Sequence, residues 1–198
     1  RTTYTIGAGD PAAMAAGCDS DTIMLVGSAP CFPYGVVDPI GELSDLALAR
    51  ELWLHVDACV GGYFAPFARM NGVPVPPFSF ELPGVRSMSA DLPKYGYAAK
   101  GASTVFHRTE AQWQHQVFAF DKWPAGGMLT PTVAGTRPGG AIASAWAVLH
   151  YLGVEGYRLL ARHLTEGQRE FARRIAQVPG VSVLDPGFTV LNFVHETL

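Results

Sequence analysis

The stretch LWLHVDACVGG at residues 52–62 leads an apolar, β-branched run into an aspartate and a turn of small residues. Similar apolar runs start at residues 22 and 85, so three such runs recur at intervals of about 30 residues. A βαβ crossover has this length, and the spacing therefore predicts three parallel strands at residues 22–26, 52–56 and 85–89. This pattern places the chain in the α/β class.

The segments between and after these runs predict the remaining elements. In the first crossover, Asp38 is expected to cap a helix whose first residue is Pro39. The second crossover, residues 61–84, contains five prolines and is expected to be an ordered loop. Periodicity and turn residues predict a further strand at 102–107, helices at 141–152 and 156–176, and short strands at 181–184 and 189–194.

Composition and charge narrow the classes of function. The 198 residues are 48% hydrophobic and 16% charged, and their net charge of −3 gives no electrostatic basis for binding nucleic acid. The chain has no run of about 18 apolar residues, so no membrane span is predicted in this segment. Cys18, Cys31 and Cys59 lack CxxC spacing, and three reduced thiols are typical of a cytoplasmic protein.

Two side chains at predicted strand ends suggest the chemistry. Asp57 follows the second strand, and Lys94 lies just past the third, in the mostly uncharged stretch SMSADLPKYGYAAKG at residues 87–101. Loss of solvation is expected to lower the pKa of Lys94 and to make its amine a nucleophile towards an aldehyde. Pyridoxal 5′-phosphate needs such a lysine, and a carboxylate beside its pyridinium nitrogen. The residues alone leave open a turn-capping aspartate and surface lysines in a glycine-rich loop.

Five motifs in order along the chain carry a more specific resemblance. They are VGSAP at 26–30, GVVDPI at 35–40, HVDACVGG at 55–62, the Lys94 stretch at 87–101 and GTRPGG at 135–140. Together they resemble the sphingosine-1-phosphate lyase family, a branch of the group II, fold type I pyridoxal-phosphate decarboxylases. The resemblance implies that residues 1–150 are part of a large cofactor-binding domain with a parallel sheet, and that residues 151–198 start a small C-terminal domain.

The resemblance also implies roles for individual residues. Lys94 would form the Schiff base with pyridoxal 5′-phosphate, and Asp57 would pair with the ring nitrogen. Lys100 would be a second catalytic lysine that binds the substrate phosphate or assists proton transfer. Three further residues would bind the cofactor: Cys59 facing the ring, with His55 and Ser28 nearby.

The implied reaction is a retro-aldol cleavage of a phosphorylated long-chain amino alcohol to an aldehyde and phosphoethanolamine, in a homodimer. An amino-acid decarboxylase and a non-catalytic dimerisation scaffold are the alternatives. The sequence departs from the family at Pro93, where a histidine usually precedes the lysine, because proline donates no hydrogen bond to the cofactor phosphate. Residues 1–21 contain no glycine-, serine- and threonine-rich phosphate loop, so the chain is expected to be the central part of a longer enzyme.

Overall fold

A four-stranded sheet with helices forms the main part of the molecule. The computed structural model describes residues 9–32, 34–184 and 189–196. In chain order the elements are α1 (Pro11–Gly17), β1 (Met24–Ser28), α2 (Ile40–Ala49), β2 (Trp53–Asp57), α3 (Ala65–Met70), β3 (Val85–Ala90), β4 (Thr104–His107), α4 (Glu110–Gln114), β5 (Phe118–Phe120), β6 (Met128–Thr130), α5 (Gly139–Ile175), β7 (Val181–Val183) and β8 (Phe193–His195).

The sheet has the order β1-β2-β3-β4 and confirms the predicted parallel arrangement. Strands β1, β2 and β3 are parallel, and β4 runs antiparallel to β3. Strand β1 ends two residues later than predicted, at Ser28, and β2 ends one residue later, at Asp57. The carboxyl ends of three strands therefore meet at one edge of the sheet.

One face of the sheet packs against α2 to form the main core. Along β2, Leu54 and Val56 are fully buried, as are Ile40 and Leu43 of α2. Burial of each such side chain contributes about 1.5–3 kcal/mol relative to an exposed position. The alternate residues of β2 (Trp53, His55 and Asp57) are only half-buried and lie on the opposite face. The core therefore fixes which side chains remain available at the strand ends.

Asp38 does not cap α2, contrary to the sequence prediction. Helix α2 begins at Ile40, and its capping position, Pro39, makes no side-chain hydrogen bond to the helix. The Asp38 carboxylate instead accepts hydrogen bonds from the backbone N–H of Ser28 (2.7 Å) and of Gly9 (2.8 Å). These two longer-range bonds occupy the carboxylate, and they fix the end of β1.

The segments outside the sheet partly confirm the predictions. The proline-rich crossover contains the short helix α3, which was not predicted, and α1 and the β5–β6 hairpin were also missed. Gly153 interrupts α5 with φ 55° and ψ −173°, so the two predicted helices exist as two helical segments of α5. The last predicted strand is shorter, because only Phe193–His195 pairs with β7. No helix in the described ranges is both long and apolar enough to span a bilayer.

Candidate functional site

Three polar side chains lie side by side at the carboxyl edge of the parallel strands. Ser28 of β1 is in register with Asp57 of β2, and Asp57 is in register with Ser89 of β3. Parallel strands bring such residues together although they are far apart in the sequence. This edge is where a ligand of an open α/β sheet is expected to bind.

Asp57 is held as a carboxylate by hydrogen bonds at this edge. Its Oδ1 accepts a bond from the backbone N–H of Cys59 (3.0 Å) and another from the hydroxyl of Ser89 (3.1 Å). Burial acts to raise the pKa of Asp57, but the hydrogen bonds from Cys59 and Ser89 outweigh burial and lower this pKa below its ordinary value. Asp57 is therefore ionised at neutral pH and suited to pair with a cationic ring nitrogen.

Lys94 lies in a tight turn directly after β3. The backbone N–H of Lys94 donates to the carbonyl of Asp91 (3.2 Å), and the N–H of Ala98 donates to the carbonyl of Leu92 (3.1 Å). On the other side of the turn, the buried hydroxyl of Tyr157, from the second segment of α5, donates to the carbonyl of Gly96 (2.7 Å). These bonds fix the backbone that carries Lys94.

The amine of Lys94 is an ammonium paired with Asp91, which corrects the prediction of a lowered pKa. Lys94 Nζ lies 2.9 Å from Asp91 Oδ2, and the two side chains are 42% and 28% exposed. Burial acts to lower the pKa of Lys94, but the contacts with Cys59 and Asp91 outweigh burial and raise this pKa above its ordinary value. The prediction was wrong because it considered only the loss of solvation in the mostly uncharged stretch. It left out the ion pair with the carboxylate of Asp91, three residues before the lysine.

Cys59 links the two central residues. Its side chain interacts with both Asp57 and Lys94, so the carboxylate and the amine share a single thiol as a neighbour. Burial raises the pKa of Cys59, and the thiol therefore stays protonated at neutral pH. The structure brings together the three residues that sequence analysis placed closest to the cofactor.

His55 lies on the same face as Asp57, two residues earlier on β2. Its Nδ1 is 2.7 Å from the hydroxyl oxygen of Ser87, which also accepts a bond from the indole N–H of Trp53 (2.8 Å). Burial lowers the pKa of His55, so the ring is neutral at pH 7. His55 thus lies further from the carboxyl end of β2 than Asp57 does.

The remaining predicted site residues are less closely tied to this group. Ser28 is in register with Asp57, and its backbone N–H donates a hydrogen bond to the Asp38 carboxylate. Lys100 is exposed, in the turn that follows the Lys94 loop, and it forms no ion pair with any residue in the described ranges. The cofactor role of Ser28 and the catalytic role of Lys100 stay predictions.

The residues that support the site were not predicted from the sequence. On β3, Ser87 contacts His55 and Ser89 contacts Asp57. Both pairs are spaced by two residues along their strands, and residues with this spacing share one face of a sheet, so the spacing could have indicated these contacts. Asp91 precedes Lys94 by three residues, which was visible in the sequence. The contact from Tyr157 was not visible, because it joins positions 61 residues apart.

The arrangement fits pyridoxal 5′-phosphate at its ring and its aldehyde. The cofactor needs an ionised carboxylate for the ring nitrogen and a primary amine for the aldehyde. Asp57 and Lys94 supply these groups, and both contact Cys59. Pro93 lacks an N–H and so cannot donate to the cofactor phosphate.

Comparison with known proteins agrees with this chemistry. A family model described as the pyridoxal-dependent decarboxylase conserved domain matches residues 22–185. The chain is 46% identical over 181 residues to sphingosine-1-phosphate lyase of Oryza sativa subsp. japonica, covering 91% of this chain and 34% of that protein. It is also 38% identical over 180 residues to a probable L-aspartate decarboxylase of Thermococcus gammatolerans, covering 90% of this chain and 47% of that protein.

A solved structure shows the same fold. The chain superposes on sphingosine-1-phosphate lyase from Burkholderia pseudomallei with a TM-score of 0.90 and 40% sequence identity, covering 94% of this chain and 43% of that chain. The chain thus spans about a third of the length of the curated lyase from rice. Its architecture is that of the fold type I pyridoxal-phosphate enzymes, as the motifs implied. Because the family match extends over residues 22–185, the chain belongs to the pyridoxal-dependent decarboxylase family.

Proposed function

We propose that this chain forms part of a pyridoxal-phosphate-dependent carbon–carbon lyase. The substrate is a phosphorylated long-chain amino alcohol resembling sphingosine 1-phosphate, and the products are a long-chain aldehyde and phosphoethanolamine. The observation that carries the proposal is the pair formed by Asp57 and Lys94 at one sheet edge, with Cys59 in contact with both. The 40% identity to the bacterial lyase across nearly the whole chain supports the choice of substrate class.

The residues of this chain have separate tasks in such a reaction. When bound, pyridoxal 5′-phosphate supplies an electron sink for the bond that breaks next to the substrate amine. The Asp57 carboxylate holds a proton at the ring nitrogen, because its lowered pKa keeps it anionic. The Lys94 amine binds the cofactor through its aldehyde, and it must lose a proton before it can do so. Cys59 and Ser89 orient Asp57.

A decarboxylase is the second candidate function. The 38% identity to a probable L-aspartate decarboxylase covers nearly as much of this chain as the match to the rice lyase. Asp57 and Lys94 would serve both reactions, since both need the same electron sink. The two functions differ in the bond that is broken, and this bond is set by how the substrate is held.

The test is a product assay on the intact protein loaded with cofactor. We expect long-chain aldehyde from a phosphorylated long-chain amino alcohol, and no carbon dioxide from L-aspartate or L-glutamate. The Lys94→Ala variant is the control and should release neither product. Carbon dioxide without aldehyde would establish the decarboxylase instead. Neither product, together with no absorbance of a bound cofactor, would identify a non-catalytic scaffold.

The proposal includes a homodimer in the cytoplasm. Several apolar side chains of the β5–β6 hairpin and of the first segment of α5 are exposed, among them Leu129 (72%), Trp146 (64%) and Tyr151 (89%). An apolar surface of this kind is typical of an interface, and a second copy of the chain is the partner that we propose. All three cysteines are free thiols, which supports a reducing compartment. The division into domains at residue 150 stays a prediction.

A further inference from the structure

The ion pair between Lys94 and Asp91 is itself held in place. Ser103, which lies just before β4, donates its hydroxyl to Asp91 Oδ1 at 2.6 Å. The other oxygen, Oδ2, is 2.9 Å from Lys94 Nζ. The backbone N–H of Asp91 donates to the carbonyl of Cys59 (3.2 Å). Asp91 is therefore fixed at the backbone and at one carboxylate oxygen, and its second oxygen is directed at the lysine.

We propose that Asp91 is a positioning residue that receives the amine of Lys94 whenever this amine is not bonded to the cofactor, and that Ser103 holds Asp91 for this task. The inference rests on the proposed function, in which the amine of the substrate takes the place of Lys94. The displaced Lys94 amine must then stay close to the cofactor without bonding to it again at once. Pairing with Asp91 keeps it within the same turn and in the protonated form, which is not a nucleophile.

The return of Lys94 then requires one proton transfer. During turnover the ammonium would give up one proton, and the neutral amine would bond to the cofactor carbon while the product amine leaves that carbon. In the cofactor-free protein the incoming cofactor carries an aldehyde, and one water would leave instead. The Lys94 amine interacts with the Asp91 carboxylate and with the Cys59 thiol, and this thiol also interacts with Asp57. Asp91 is the charged partner, so its removal should make the proton easier to lose.

The test measures how the reactivity of Lys94 depends on pH, with and without this carboxylate. Intact protein freed of cofactor is treated with trinitrobenzenesulfonate, which modifies neutral amines, and the Lys94 peptide is quantified by mass spectrometry. Asp91→Asn retains an oxygen that can accept from Ser103 but removes the charge. We expect Lys94 to react about two- to fivefold faster below its pKa, the effect of losing a partly exposed ion pair.

Two further variants make this result specific. Ser103→Ala, which frees the Asp91 carboxylate, should increase the reactivity of Lys94 in the same direction but by less. Asp45→Asn removes the same charge from an exposed position of α2 and should leave Lys94 unchanged. If Asp91→Asn does not fold, Ser103→Ala carries the test. An unchanged Lys94 profile in the folded variants would overturn the proposal.

A second measurement separates this inference from the proposed function. The rate at which the cofactor-free protein captures pyridoxal 5′-phosphate is followed by absorbance over the same pH range. The Asp91→Asn variant should capture the cofactor faster than the wild type at neutral pH. If Lys94 becomes more reactive towards trinitrobenzenesulfonate but no variant captures the cofactor, the proposed function fails, whereas the pairing of Lys94 with Asp91 is supported.

Discussion

The hydroxyl of Tyr157 donates a 2.7 Å hydrogen bond to the carbonyl oxygen of Gly96, two residues beyond Lys94. The ring of Tyr157 stacks on that of Phe67 in α3, with centroids 4.9 Å apart. A buried contact thus joins the second segment of α5 to the turn that carries the lysine. The orientation of Lys94 depends on a helix that lies outside the sheet.

Replacing Tyr157 by phenylalanine should loosen this turn. The Tyr157→Phe variant keeps the stacked ring but leaves the Gly96 carbonyl without its partner, which should lower the free energy of unfolding by about 1–2 kcal/mol. The affinity for pyridoxal 5′-phosphate should fall as well, because the Lys94 backbone is less well fixed. Urea unfolding and a cofactor titration measure the two effects.

Thr165→Val is the matched control for Tyr157→Phe. Thr165 is a buried residue of the same helix, and its hydroxyl donates to the Ala161 carbonyl of its own helix (2.8 Å). This carbonyl keeps its helical partner when the hydroxyl is removed. The variant should therefore retain the affinity for the cofactor, and equal losses in both variants would contradict a specific role for Tyr157.

The bond from Ser89 to Asp57 predicts how stability depends on pH. The native pKa of Asp57 is depressed, so its ionised form stabilises the fold above its ordinary pKa of 3.8, and this contribution is lost as the pH falls through the native pKa. Ser89→Ala should raise the native pKa towards 3.8 and reduce stability near neutral pH by about 1 kcal/mol.

The difference between Ser89→Ala and the wild type should shrink at acid pH. At a pH below the native pKa of Asp57, the carboxyl is protonated in both proteins and the charge-assisted part of the bond is absent from both. Urea unfolding at neutral and at acid pH measures this, with Ser182→Ala as the control at an exposed serine of β7. A difference that stays constant with pH would mean that Ser89 acts on packing rather than on the charge of Asp57.

Position along strands predicted that Asp57 and Lys94 lie near one edge of the sheet, and the family resemblance supplied their roles, whereas the contacts that these residues make were not predictable. Asp57 and Lys94 follow apolar runs at crossover spacing, and parallel topology forces such ends together. The partners of side chains depend on turn geometry and on distant segments. Asp38 has the local signature of a helix cap, but its carboxylate accepts a hydrogen bond from the backbone N–H of Ser28, ten residues away. The pKa of Lys94 was predicted in the wrong direction for a similar reason, because Asp91 turns back onto it.

Lys94 should be the residue that carries the cofactor. Borohydride reduction of the intact, cofactor-loaded protein, followed by peptide mapping, should place the pyridoxyl group on Lys94. The chain contains two other lysines, Lys100 and Lys122, and both are exposed. Label on either of them in place of Lys94 would refute the assignment. The Lys94→Arg variant keeps the charge and should remain unlabelled.

Gly61 should tolerate no side chain, because it lies against the end of β1. A Cβ at Gly61 would be 2.1 Å from the carbonyl oxygen of Ala29 and 3.0 Å from Cδ of Pro30. The Gly61→Ala variant must therefore push the ends of β1 and β2 apart, with an expected loss of about 1–3 kcal/mol in the free energy of unfolding. Because Ser28 and Asp57 lie at these ends, the affinity for the cofactor should fall too.

Gly41→Ala is the corresponding control. A Cβ at Gly41 in α2 would meet nothing within 4 Å, so this variant should unfold at the urea concentration of the wild type or slightly above it. Both variants add one methyl group, and the comparison isolates the steric contact. Equal stability of the two variants would show that the backbone around Gly61 adapts.

The exposed apolar side chains of the β5–β6 hairpin should lie in an interface between two copies of the chain. A charge at Leu129 would be buried there without a partner, so Leu129→Asp should weaken association of the intact protein by about tenfold or more. Leu48→Asp, at an exposed apolar position of α2, is the control and should leave association unchanged. Sedimentation of the wild type should show a dimer at micromolar concentration. A cofactor-loaded wild-type monomer under these conditions, or equal weakening by the two variants, would rule out this surface as the interface.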